Sequence, residues 1–170
     1  MKAVLRFSWA VGLILVLAAC GFTPVYATRG DNAVKYHLDS IYIGNIPDSE
    51  GQYLRNALID RFYQSGRPAD PQYELAFEPL KERERNLDIT RTSDATRRQI
   101  RMDTAFTLKD RKSGEVLLTR KILSMTSYNV LDSQFTTRIS QDDARKGALD
   151  DLARQVEQQL ALYFSGEIGR

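Results

Sequence analysis

The chain has 170 residues, 24 of them basic and 22 acidic, with one histidine and one cysteine. That length suits one domain able to bury a core without staples, and the near balance of charge supplies no global field to draw in nucleic acid. A lone histidine and a lone cysteine leave no ligand set for a zinc centre and no internal disulfide.

The first residues carry Lys2 and Arg6, then thirteen uncharged positions from Phe7 to Ala19, then Cys20. This is signal-peptide architecture, and the run falls short of the roughly 18 to 20 apolar residues that a spanning helix needs. Leu17-Ala18-Ala19-Cys20 resembles a lipobox, in which small residues admit the backbone to a protease and the thiol accepts a diacylglycerol. Residues 1–19 are therefore expected to be cleaved, leaving acylated Cys20 as the first residue and 20–35 as a tether. Two or three acyl chains hold a protein firmly, because each buried methylene contributes about 0.8 kcal/mol. Gly21 follows the cysteine where an aspartate marks inner-membrane retention in enterobacterial-type sorting, so the expected destination is the outer membrane.

A single domain is expected over 36–166, with 167–170 as a short tail. Tyr36 to Ile46 alternates and predicts a first strand. Ser49-Glu50-Gly51-Gln52 matches a capping box, and Leu54, Ala57, Leu58 and Phe62 form the stripe of a helix that Gly66 and Pro68 stop. Tyr73, Leu75 and Phe77 predict a second strand, interrupted by Pro79 and resuming with charged alternation from Lys81 to Ile89. Ile100 to Leu108 predicts a third, Asp110 to Gly114 a tight turn, and Val116 to Leu123 a fourth. After a polar stretch from Ser124 to Thr137, Ser140 is placed to cap a long helix carrying Ala144, Ala148, Leu152, Val156, Leu160 and Tyr163 on one face. The expected fold is α+β, a two-layer sandwich in the order β-α-β-β-β-α, with a four-stranded, mostly antiparallel sheet and both helices on one face.

Loss of Lys2 and Arg6 leaves the mature chain with 22 basic and 22 acidic residues, unevenly distributed. Lys81 to Arg101 holds seven basic against four acidic, and Ser140 to Glu167 reverses the sign with six acidic against three basic. Catalytic constellations are hard to find. No Gly-x-Ser-x-Gly elbow or phosphate-cradling glycine loop occurs, and Asp142-Asp143 and Asp150-Asp151 diverge by about 100 degrees as helix neighbours. His37 on a strand is expected to be solvated. Neither enzymatic activity nor a cofactor or metal is expected.

Cys20-Gly21-Phe22-Thr23-Pro24-Val25-Tyr26 resembles the mature start of the lipopolysaccharide-assembly lipoproteins of the LptE family, alphaproteobacterial branch. Leu54-Arg55-Asn56-Ala57-Leu58, Ser127-Tyr128-Asn129 and Ala148-Leu149-Asp150-Asp151-Leu152-Ala153 resemble its later motifs in the same order. The resemblance implies a non-enzymatic subunit of the lipopolysaccharide translocon that plugs the LptD-type outer-membrane barrel, assists its assembly and binds lipopolysaccharide. It also implies that basic residues before the third strand and ahead of the last helix meet lipopolysaccharide. The matching positions are Arg91 and Arg138, with Arg85, Arg97, Arg98 and Arg101 as neighbouring candidates. Any one of these is also readable as a solvated hairpin charge. The alternative, from a different class, is a periplasm-facing lipoprotein accessory of another transporter or envelope complex. Cys20→Ser is expected to leave a precursor that incorporates no labelled fatty acid, and label in that variant would refute the lipobox assignment.

Overall fold

The computed structural model describes residues 30–63, 66–89 and 95–166. In chain order the elements are α1 (Gly30–Asp39), β1 (Ile41–Ile43), α2 (Asp48–Phe62), β2 (Tyr73–Phe77), β3 (Lys81–Ile89), β4 (Ala95–Asp110), β5 (Val116–Asn129) and α3 (Gln134–Phe164). Cys20 and Gly21, Arg91, and the tail from 167 lie outside the described residues.

The expected α+β sandwich is present, and β4 organises it. Its 106–110 end pairs antiparallel with β2 and its 95–103 end with β3, while β5 runs antiparallel along its other edge. β2 and β3 lie in tandem on one side of β4, bridged by the Glu78 N–H donating to the Ala105 carbonyl at 2.9 Å. Pro79 occupies the gap, where its missing donor costs no ladder bond. The sheet therefore has five strands but is four wide. It is mixed rather than mostly antiparallel, because β1 pairs parallel with β2 through the α2 crossover.

Helix α2 contributes Leu54, Leu58 and Phe62 to the core, and α3 contributes Ala148, Leu149, Leu152, Ala153, Val156 and Leu160. They meet Ile100, Met102, Phe106 and Leu108 of β4 and Leu118 and Ile122 of β5, all buried in one cluster. Burial of a large apolar side chain contributes roughly 1.5–3 kcal/mol, so this layer is the main source of stability.

Three local expectations are corrected. The first strand is only Ile41–Ile43, and Tyr36 to Asp39 belongs to α1. Val34, His37 and Leu38 stand at i, i+3 and i+4, so the segment carries a helical stripe as well as an alternation, and packing selects the helix. His37 is consequently not a solvated strand residue: its ring stacks on Phe164 at 4.7 Å and 8°, and its Nδ1 lies 3.3 Å from the Tyr73 hydroxyl.

The capping box does not form. Pro47 occupies the N-cap of α2 without a side-chain bond, Asp48 takes a left-handed φ of 67°, and the Ser49 hydroxyl donates to Glu50 instead. The last helix begins six residues before Ser140, at Gln134, with the Ser133 hydroxyl accepting from the Thr136 N–H. β5 correspondingly extends through Asn129 into the stretch read as polar loop.

Gly51 and Gly147 are both helical glycines in opposite surroundings. A Cβ on Gly51 would stand 2.7 Å from the Ile46 side chain and 2.9 Å from its backbone carbonyl, whereas one on Gly147 meets nothing within 4 Å. Gly51→Ala is expected to destabilise by about 1–3 kcal/mol through overpacking, and Gly147→Ala to stabilise by about 0.5–1 kcal/mol through helix propensity. Urea unfolding of both variants checks the pair, and shifts of the same sign would refute the packing argument.

Candidate functional site

The sequence concentrates cations between Lys81 and Arg101, and the pairing of β3, β4 and β5 decides where they go. Successive residues of a strand leave opposite faces. In β4, Ile100, Met102, Phe106 and Leu108 are buried beneath the helices, so Arg97, Gln99, Arg101, Asp103 and Ala105 face the open side. Register carries the division to the neighbours. Lys81, Arg83 and Arg85 stand opposite Asp103, Arg101 and Gln99, while Lys121 stands opposite Ala105. The open face thus gathers Lys81, Arg83, Arg85, Arg97, Arg101 and Lys121 around Asp103, with Glu78 also bordering Lys81 and Lys121.

The interleaved residues of β3 face the helix layer. Glu82 accepts from Arg145 Nε and Nη2 of α3, both at 3.0 Å, and Arg145 Nη1 also donates to Asp142 at 3.0 Å. These bonds to Glu82 hold the Arg145 guanidinium above its ordinary pKa, against a smaller opposing effect of burial. Glu84 accepts from the Tyr128 hydroxyl, from Gln141 Nε2 at 3.2 Å, and faces Arg98 Nη1 at 3.7 Å. Burial, then the bond to Glu84, raises the Tyr128 phenol. This polar clamp ties the charged half of the hairpin to α3.

The sequence candidates therefore separate. Arg85 and Arg97 lie on the open face, where each donates to a neutral side chain, Gln99 Oε1 at 3.1 Å and Ser127 Oγ at 2.9 Å. Arg101 lies further along the same face, 3.7 Å from Asp103. Arg98, next to Arg97 in sequence, points the other way and belongs to the Glu84 clamp. Arg138 is exposed on the first turns of α3, which starts just after the Asn129 end of β5, opposite Arg97. Beside it on α3, Phe135 and Ile139 are 74% and 46% exposed at four-residue spacing, and Leu131, just before the helix, is 47% exposed, so exposed apolar side chains flank Arg138 in sequence. Lys81, Arg83 and Lys121 were not singled out as site residues from sequence. The period-two spacing of Lys81, Arg83 and Arg85 was the signal that they share a face.

A family model described as lipopolysaccharide-assembly, LptE, matches residues 38–162. An uncharacterised protein of Rickettsia prowazekii is 24% identical over 160 residues, covering 94% of this chain and 98% of its own. Among solved structures, a Caulobacter crescentus protein shares the fold with a TM-score of 0.63 at 22% identity, over 79% of this chain and 98% of that one. Rare lipoprotein B of Shewanella oneidensis does so with a TM-score of 0.56 at 13% identity, over 75% and 94%.

Because the two faces of β3 do different things, their variants should differ. Glu84→Ala strands the Tyr128 hydroxyl and is expected to cost about 1–3 kcal/mol, whereas Arg97→Ala on the open face should stay within about 0.5 kcal/mol. Denaturant midpoints measure both, and equal losses would contradict the assignment of faces.

Proposed function

This chain belongs to the LptE family of lipopolysaccharide-assembly proteins, and from that premise we propose that it is the lipoprotein subunit of the lipopolysaccharide translocon. It is held at the outer membrane by acyl chains on Cys20, with Gly21 permitting that destination. Its partner is an LptD-type barrel, which it plugs and helps to assemble, with its domain inside the barrel or at its periplasmic mouth. Its role is binding rather than catalysis, and it uses no cofactor.

The observation that carries the reading is the open sheet face, where cations outnumber carboxylates, together with exposed Arg138 beside Phe135 and Ile139 on the first turns of α3. Lipopolysaccharide joins phosphates to hydrocarbon. Arginine's planar fork suits phosphate oxygens, and Leu131, Phe135 and Ile139 offer an apolar surface to acyl chains. Arg85, Arg97 and Arg138, together with Arg91, are the proposed phosphate contacts at the hairpin end, and Arg101 lies further along the same face. Arg98 is the weakest candidate, because its charge is already engaged with Glu84.

Affinity isolation of the native protein tests the partner: a stoichiometric outer-membrane barrel is expected, and an inner-membrane transporter in its place would overturn the assignment. For the ligand, Arg97→Glu with Arg138→Glu should weaken lipopolysaccharide capture at least tenfold while barrel co-purification and melting temperature stay near wild type. Capture should also fall with added salt, since exposed charges are screened over about 8 to 10 Å near physiological ionic strength. Undiminished capture by a folded double variant would remove these arginines from the site.

A further inference from the structure

We propose that the middle of the open sheet face is a second anion site, formed by Lys81, Arg101 and Lys121 with Arg83 at its rim opposite Arg101, that takes a phosphate group of the glycolipid. The inference rests on the lipopolysaccharide reading above and adds to it a second point of attachment, away from the hairpin end.

Register is the first argument. Arg83 and Arg101 stand directly opposite each other on β3 and β4, and like charges so placed repel. Asp103 does not relieve this fully, because its carboxylate lies 3.8 Å from Arg83 and 3.7 Å from Arg101, beyond hydrogen-bond reach of either. Lys81 is opposite Asp103, and Lys121 is opposite Ala105, two residues further on. Four cations thus face two carboxylates, Asp103 between the strands and Glu78 at the Pro79 end, which leaves an excess of positive charge. Among the described residues, none of the four side chains makes a hydrogen bond.

Shape is the second argument. Lys81, Arg101 and Lys121 line a half-open depression of about 230 Å³ together with two carboxylates, Asp103 and Glu78, and with Pro79 and Leu123 also at its wall. The break between β2 and β3 at Pro79 and the small side chain of Ala105 leave this space in an otherwise continuous sheet surface. A compact, multiply charged tetrahedral anion suits converging guanidinium and ammonium groups better than the single charge of a protein carboxylate.

Spacing is the third. Arg101 is four residues from Arg97 along β4, on the order of 13 Å at strand rise. One phosphate cannot bridge that distance, but a glycolipid carrying separated phosphates can engage both places at once and lie along the strand.

The test uses the full-length lipoprotein in detergent and the variant R83Q/R101Q/K121Q. The probes are intact lipopolysaccharide, its deacylated phosphorylated saccharide, the same saccharide after phosphatase treatment, and inorganic phosphate. Wild type is expected to bind the phosphorylated saccharide about tenfold more tightly than the variant does, and to bind the dephosphorylated saccharide no better than the variant. The ligand-free variant should melt at or above the wild-type temperature, since a repulsion has been removed. Equal saccharide affinity in the two proteins would overturn the second site, and so would a lowered ligand-free melting temperature, which would make the cations structural. Inorganic phosphate binding as tightly as the saccharide would overturn the glycolipid assignment. Failure of wild type to capture intact lipopolysaccharide would instead refute the functional reading itself, which separates the two claims.

Discussion

The pairing of β4 on both edges is the constraint from which the rest follows. One strand of 16 residues takes β2 and β3 in tandem on one side and β5 on the other. Its alternation consequently sorts side chains across the whole sheet. Positions in phase with Ile100 and Phe106 build the core with α2 and α3, and positions in phase with Arg97 and Arg101 have no helix above them among the described residues. A shift of one residue would bury the arginines and expose the isoleucine and phenylalanine, so the core that fixes the register also fixes the basic face.

The clamp around Glu82 and Glu84 solves a problem this arrangement creates. The outer half of β3 is nearly all charged, and a strand of that composition has little apolar area with which to hold itself down. Its glutamates point at the helix layer, where Arg145 and Gln141 of α3 and Tyr128 of β5 meet them, and its basic residues are left to face outward. Alternating charge along β3 thus does two jobs at once, docking on one side and display on the other. Buried or partly buried ion pairs add little net stability over apolar packing, which fits a role in holding the hairpin in place.

Much of this was legible in the sequence, and the failures have identifiable physical causes. Tyr73 to Phe77, Ile100 to Leu108 and the Asp110–Gly114 turn carry alternation or turn chemistry that nothing competes with. Val34 to Asp39 satisfies a helical and a strand period together, so only tertiary packing decides it. Ser133 and Ser140 are both competent caps, and the hydroxyls of Ser124 and Thr126 read as loop although they alternate with Met125 and Ser127 on a strand. For the site, composition located the cation-rich segment but not its faces. Arg97 and Arg98 are adjacent and chemically identical, and only the pairing with Asn129 and Tyr128 sends one outward and the other to a glutamate.

The stack of His37 on Phe164 brings α1 against the last turn of α3, so the two ends of the described domain meet. Topologically the domain is close to a ring, with the exposed Asp110–Gly114 turn as the covalent link between β4 and β5. A circularly permuted chain, joined across the aromatic stack and reopened at that turn, would keep every strand pairing and every core contact, changing only which covalent link holds β4 to β5. The order of elements along the gene is therefore not what dictates this architecture; the alternation of β4 and the layer packed upon it do.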